Sequence, residues 1–386
     1  MISYGRQSIN QQDIEAVIDV LKSDYLTQGP VVPEFELSVC KAVGARYSIA
    51  VNSATSALHI ACLALGLRKE DVVWTSPISF VASANCALYC GAGIDFVDIE
   101  EDTHNLSVEK LSDKLLFHKN NNLPLPKIII PVHLAGHSCD MEKIGKLSKE
   151  YGFYIIEDAS HAIGGSYQGE PIGSGRYSDI TVFSFHPVKI ITTAEGGMAT
   201  TNDNDIAKKM RLLRSHGVTR DKSELEMKNS ASWYYEQQLL GFNYRLTDIQ
   251  AALGLSQMDR LGEFIEDRKI IANNYLDELH HLPIDLPIKD VKCQSSWHLF
   301  IIKLRIENTS KTRHQVFNEL RKRGVGVNLH YIPIYKQPYY QKMGFDSQYC
   351  VTAEDYYKAA ISIPIYHGLS GFDQNSVIKA VCEVLE

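Results

Sequence analysis

The chain has 386 residues, 45% hydrophobic and 22% charged, with a formal net charge of −7. That length exceeds one small domain and predicts two. The acidic balance argues against a nucleic-acid partner, which calls for a basic face, and no run of eighteen apolar residues predicts a membrane span.

The opening MISYGRQSIN is mixed and polar, unlike a signal peptide, so a cytoplasmic location is expected. Past it, short apolar runs alternate with helical patterns. YSIAV (47–51) reads as a strand and SALHIACLAL (56–65) as a helix. DVVWTSP (71–77) is a second strand, followed by the helical SFVASANCALYCGA (79–92). Cys86 and Cys90 stand four apart in that stretch, half of a metal-site spacing. No histidine or second pair completes it, so core packing and no metal are expected. IDFVDI (94–99), KIIIPVHLAG (127–136), FYIIEDAS (153–160) and DITVFSFH (179–186) supply four more strands, with MEKIGKLSKEYG (141–152) as an amphipathic helix among them. Strands that are apolar on both faces and separated by helices predict a mostly parallel sheet covered by helices, an α/β fold.

After Arg260 the pattern changes. The stretch 260–282 reads as a long, charge-alternating helix. WHLFIIKL (297–304) is a strand, RHQVFNELRKRG (313–324) a helix, ISIPIY (361–366) a strand, and 373–386 a last helix. This predicts a large αβα domain over residues 1–260 and a smaller α+β domain over 261–386, with the segment after Arg260 as the connection.

In open α/β sheets ligands sit beyond the carboxyl ends of the strands, and polar residues collect there. Asn52-Ser53-Ala54-Thr55-Ser56 follows the first strand; it can cap a helix, and it can also leave N–H groups facing an anion. Asp158 ends a buried strand, where a carboxylate needs a partner or serves as a helix cap. His161 follows three residues later. SFHPVKIITTAEGGM (184–198) holds Lys189 between Ser184 and a glycine pair. A desolvated lysine can form a Schiff base with a carbonyl; a loop lysine on the surface is the commoner fate. Together the groups match what pyridoxal phosphate (PLP) requires: a lysine, a carboxylate for the pyridine nitrogen and a phosphate cup. Phe80, in SPISF, is an aromatic at another strand end that could stack on the ring.

SATSAL, SFVASAN, EDASHA, SFHPVKIITTAEGGM and GFNYRLTDIQAALGLSQ together resemble the DegT/StrS-type nucleotide-sugar aminotransferases, over nearly the whole chain. The resemblance implies a fold-type I, aspartate-aminotransferase-like PLP enzyme. It makes Lys189 the Schiff-base lysine and Asp158 the partner of the pyridine nitrogen. Thr55, the Ala54 backbone and Ser184 would bind the phosphate, and Phe80 would cover one ring face. His161 stands beside the cofactor where many relatives carry glutamine, and Ala54 replaces a common glycine. Asn243 would reach the phosphate of a neighbouring subunit, implying a homodimer with a shared site.

YGRQSINQQDIEAVIDVLKSDYLTQGP, LRSHG, HYIPIY and EDYYKAAISIPIYHGLS resemble the branch of the family that acts in pseudaminic acid synthesis. That similarity implies transfer of the amino group of L-glutamate to C4 of UDP-2-acetamido-2,6-dideoxy-β-L-arabino-hexos-4-ulose. It places an N-terminal arm (1–12) at the sugar site, with Tyr4, Asp24, Tyr25, Leu26, Thr27, His330 and Tyr335 as sugar-nucleotide contacts. Other UDP- or dTDP-4-keto sugars remain open as substrates, as does a non-catalytic PLP-binding regulator. A sugar dehydratase of the same fold would carry histidine in place of Lys189.

Overall fold

The computed structural model describes residues 1–227 and 231–385. Seven strands form one sheet: β1 (Tyr47–Val51), β2 (Val72–Thr75), β3 (Gly93–Phe96), β4 (Ile128–Ile130), β5 (Tyr154–Asp158), β6 (Ile180–Ser184) and β7 (Gly197–Thr201). Their spatial order is 1-7-6-5-4-2-3. The five strands from β3 to β6 pair in parallel. β7 runs antiparallel to both β1 and β6. The parallel strands follow from their composition: β4 is Ile-Ile-Ile and wholly buried, as a strand covered on both faces must be.

β7 was not visible as a strand in the sequence. Its residues, Gly-Met-Ala-Thr-Thr, form no apolar run. The sheet makes it a strand regardless, because it fills the slot between β1 and β6, with Ala199 facing Ile49 and Val182. Here tertiary pairing overrides local propensity.

The helix Ala54–Ala64 is apolar nearly all round. Ala57, Leu58, Ile60, Ala61 and Cys62 are buried in the main core, which fits a helix enclosed by protein on every side. The long helix predicted after Arg260 spans Leu261–Leu279. Beyond it lies a three-stranded antiparallel sheet of β8 (Ile284–Asp285), β9 (Phe300–Leu304) and β10 (Ala360–Ile363), with β9 central. A separate hydrophobic cluster, including Tyr275, Phe300, Ile302 and Val381, fills the space between this sheet and its helices.

The N-terminal segment lies against the C-terminal part of the chain, beside residues 324–326 and 365. Ile2 N donates to Gly324 O, Gly326 N donates to Ile2 O, and Ile365 N donates to Tyr4 O. Gly326 is needed there, since a Cβ on it would sit 2.6 Å from Ile2 O. The segment then returns to the large body, where buried Asp13 accepts from Arg260 Nη2 at 2.5 Å and from Gln257 Nε2 at 2.7 Å. Among the described residues no helix is long and apolar enough to cross a membrane.

Candidate active site

The carboxyl ends of β1, β2, β5 and β6 open onto one cavity of about 550 Å³. Residues from all four loops singled out in the sequence line it: Ala54 and Thr55, Phe80, Asp158 and His161, Ser184 and Lys189.

One wall is the start of the helix Ala54–Ala64. Ser53 caps it, its Oγ accepting from Ser56 N at 3.1 Å. The N–H groups of Ala54 and Thr55 fall in the first turn, whose donors have no partner inside the helix. Positive helix-end charge adds to them, so this wall suits an anion. Gly197 packs directly behind it: a Cβ there would lie 2.5 Å from Ala54 N and from the Ser53 carbonyl carbon. Ser184, at the end of β6, adds a hydroxyl to the same cavity.

Asp158, at the end of β5, and Lys189, in the turn after the neighbouring β6, face the cavity. Lys189 sits in a turn whose backbone is tied by Lys189 N to His186 O and by Thr193 N to Phe185 O. Burial lowers the Lys189 amine to about 8, and the Asp158 carboxylate partly opposes that shift. Asp158 is buried at the last position of β5. Its Oδ2 accepts from Ser83 Oγ at 2.6 Å and its Oδ1 from Ser160 N at 3.1 Å.

Three neutral histidines stand around the amine. His161 Nδ1 accepts from Ala135 N at 3.3 Å, which leaves the ring proton on Nε2 to be donated to Tyr331 Oη at 3.0 Å. Burial, then the charges of Lys189 and His330, hold His161 well below the ordinary range. His330 is lowered to about 3 by burial and Lys189, and its Nδ1 pairs with Ser362 Oγ at 2.8 Å. His298 packs its ring 4.4 Å from that of His161 and is likewise held well below its usual value, chiefly by burial.

Tyr4 lines the cavity, its ring 5.4 Å from that of His330. Tyr335 does not reach it, which corrects the expectation for the PIYK segment. Its side chain is fully buried in the main core, where Oη donates to Glu354 Oε1 at 2.9 Å and the ring meets Phe96. Asp24, Tyr25, Leu26 and Thr27 are exposed and line no part of this cavity. Leu26 O instead accepts from Asp248 N. Asn243 is also exposed and outside the cavity of its own chain, bridged through its backbone to Ser215.

Tyr331, His298, Ser83 and Ser79 were not singled out in the sequence. Tyr331 stacks on His161 at 23° and faces Phe80. HYIPIY contained Tyr331, but the choice among its aromatics needed the fold. His298 follows Trp297, a non-glycine residue with φ of 51°, and no motif marks that turn.

A family model for the DegT/DnrJ/EryC1/StrS aminotransferases matches residues 7–382. The chain belongs to this family. It is 38% identical to the UDP-4-amino-4,6-dideoxy-N-acetyl-beta-L-altrosamine transaminase of Campylobacter jejuni, covering 100% of this chain and 98% of the relative. Helicobacter pylori PseC, an aminotransferase involved in the biosynthesis of pseudoaminic acid, superposes with a TM-score of 0.89 at 32% identity, covering 100% and 99% of the two chains. Streptococcus pneumoniae Spr1654, solved in PLP and PMP forms, matches with TM-scores of 0.88 and 0.89 at 28% and 29% identity, again over 100% of this chain and 99–100% of the other.

This DegT-family chain is therefore a PLP-dependent nucleotide-sugar aminotransferase of the fold-type I class. Its own residues fit the cofactor. An amine and a carboxylate share one cavity with a capped helix start, and Gly197 keeps the space behind that helix start clear of side chain. Among the described residues no group of three or more His, Cys, Asp or Glu is arranged to hold a metal.

Proposed function

We propose that this aminotransferase moves the amino group of L-glutamate to C4 of UDP-2-acetamido-2,6-dideoxy-β-L-arabino-hexos-4-ulose, a step of pseudaminic acid synthesis. The choice of sugar is supported by the 38% identity to the Campylobacter jejuni transaminase and by the likeness to PseC. The observation that carries the chemistry is the convergence of Lys189, Asp158 and the Ala54–Thr55 helix start on one cavity.

PLP, when bound, supplies a carbonyl that captures an amine and a ring that withdraws electrons from the adjacent carbon. The protein supplies the rest. Ala54 N–H, Thr55 and Ser184 would hold the phosphate, Asp158 would pair with the ring nitrogen, and Phe80 and His161 would flank the ring. An amine lowered to about 8 is partly neutral near physiological pH. Lys189 thus takes a proton from the α-carbon of glutamate and returns one near the reacting centre, as general base and then acid. The glutamate half-reaction releases 2-oxoglutarate; with the keto-sugar the same transfers run in reverse and give the 4-amino sugar. Tyr4 and His330 meet the sugar nucleotide. Asn243 and the exposed stretch 24–27 serve the cavity of a second copy in a homodimer. The enzyme works in the cytoplasm.

The test is incubation with L-glutamate and defined UDP- and dTDP-4-keto sugars, measuring 2-oxoglutarate and assigning C4 of the product by NMR. Amination of the UDP-β-L-arabino substrate is expected; amination of only another keto-sugar overturns the assignment. Lys189→Ala should lower turnover by roughly 10²–10⁴-fold or more and abolish the visible absorption of the PLP-loaded protein. Wild-type colour and rate in that variant would remove Lys189 from its role.

A further inference from the structure

Asp158 is held by a side chain of the helix Ala82–Tyr89. Ser83, fully buried in the helix Ala82–Tyr89, places Oγ 2.6 Å from Asp158 Oδ2. One turn earlier, Ser79 places Oγ 2.6 Å from Ser83 Oγ. A hydroxyl has one proton to give. The Ser83 proton has three possible acceptors, Asp158 Oδ2 at 2.6 Å, Ser79 Oγ at 2.6 Å and Phe80 O at 3.3 Å. The charge-assisted bond takes it, so Ser79 must be the donor to Ser83. The direction of the chain is then fixed: Ser79 to Ser83 to Asp158.

Ser79 itself lines the cavity, next to Phe80. The second Asp158 oxygen accepts from Ser160 N at 3.1 Å. A carboxylate has about four lone-pair positions, and these two bonds occupy one on each oxygen from the protein side. The remaining positions are the ones available to a ligand. Hydrogen bonds in series polarise one another, so the donor at the end of such a chain is stronger than an isolated serine.

We propose that Ser83, oriented by Ser79, is a positioning residue for the transamination: it fixes the Asp158 carboxylate so that its free lone pairs meet the ring nitrogen of PLP. This rests on the assignment of Asp158 to the ring nitrogen. The same helix carries the loop of Phe80 at its start, so ring face and ring nitrogen are positioned by one element.

The test is reconstitution of dialysed wild-type, Ser83→Ala, Ser83→Thr, Ser79→Ala and Asp158→Asn proteins with PLP, following visible absorbance for affinity and for its pH dependence. Ser83→Ala should weaken PLP binding roughly tenfold or more, the loss of a charge-assisted hydrogen bond, and shift the pH titration of the visible band. Ser83→Thr, which keeps the hydroxyl, should restore both, and Ser79→Ala should shift both in the same direction by a smaller factor. Melting of the PLP-free proteins separates packing from positioning. Wild-type affinity and pH titration in Ser83→Ala overturn the proposal. So does a loss in Ser83→Ala that tracks the melting temperature and is not restored by threonine at 83. Wild-type behaviour in Asp158→Asn would instead overturn the Asp158 assignment itself, so the two failures are distinguishable.

Discussion

At the scale of single residues, the site is built from groups whose charge has been suppressed. His161 and His298 lie well below the ordinary histidine value of 6.5, and His330 near 3, each mainly through burial. The unfolded chain takes up protons on these rings as pH falls through 6.5, and the folded chain does not. Stability is therefore full above that pH and is lost on acidification, by about 1.4 kcal/mol per pH unit for each such ring at full difference. Thermal midpoints of the PLP-free protein should fall from pH 7 to pH 5, and His161→Gln should show a shallower fall. An equal slope would mean that His161 titrates normally in the fold. Lys189 acts in another window. Between about 8 and 10.5 the unfolded amine keeps a proton that the folded one has released, so its contribution to stability rises with pH there.

At the scale of elements, the helix start Ala54–Ala64 and the strand β7 form one unit, because Gly197 lets the strand lie against the cap residues. Gly197→Ala would drive a methyl into Ala54 N and the Ser53 carbonyl at 2.5 Å, and neither is a flexible side-chain end. The helix start must move. PLP affinity, read by absorbance titration, should drop roughly tenfold or more, with the sheet intact by circular dichroism. Unchanged affinity would show that the phosphate is held elsewhere. These elements also show what the sequence could disclose. Lys189 and Asp158 were legible because one stands just past an apolar strand and the other at the end of one, and strand ends are where a sheet presents its chemistry. β7 was hidden because Gly-Met-Ala-Thr-Thr carries no periodicity. Ser83 and His298 were hidden because their relevance comes from contacts across 75 residues and more of chain, as with Ser83 and Asp158. Tyr335 misled because an aromatic after Pro333 reads the same whether it faces a ligand or Glu354.

At the scale of the whole molecule, the cavity is closed by parts from both ends of the chain. Tyr4 enters it only because Ile2 pairs beside Val325 and Tyr4 O accepts from Ile365 N. We propose Arg260 as the boundary between two domains, with residues 1–5 belonging structurally to the C-terminal one. Gly326→Ala would set a Cβ 2.6 Å from Ile2 O, outside the cavity. The arm should lift, raising KM for the sugar nucleotide severalfold, roughly the loss of one or two hydrogen bonds. The glutamate half-reaction, followed by the absorbance change of the loaded enzyme, should keep its rate. Equal loss in both halves would show that Tyr4 serves the whole cavity and not the sugar alone.

That arm imposes an order on assembly. Ile2 is made near the start of translation, yet the segment that receives it is completed only at Gly326, and the donor to Tyr4 later still, at Ile365. Contacts so distant in the chain close slowly. Until Gly326 and Ile365 have been made, the contacts that seat Tyr4 in the cavity wall have no partners.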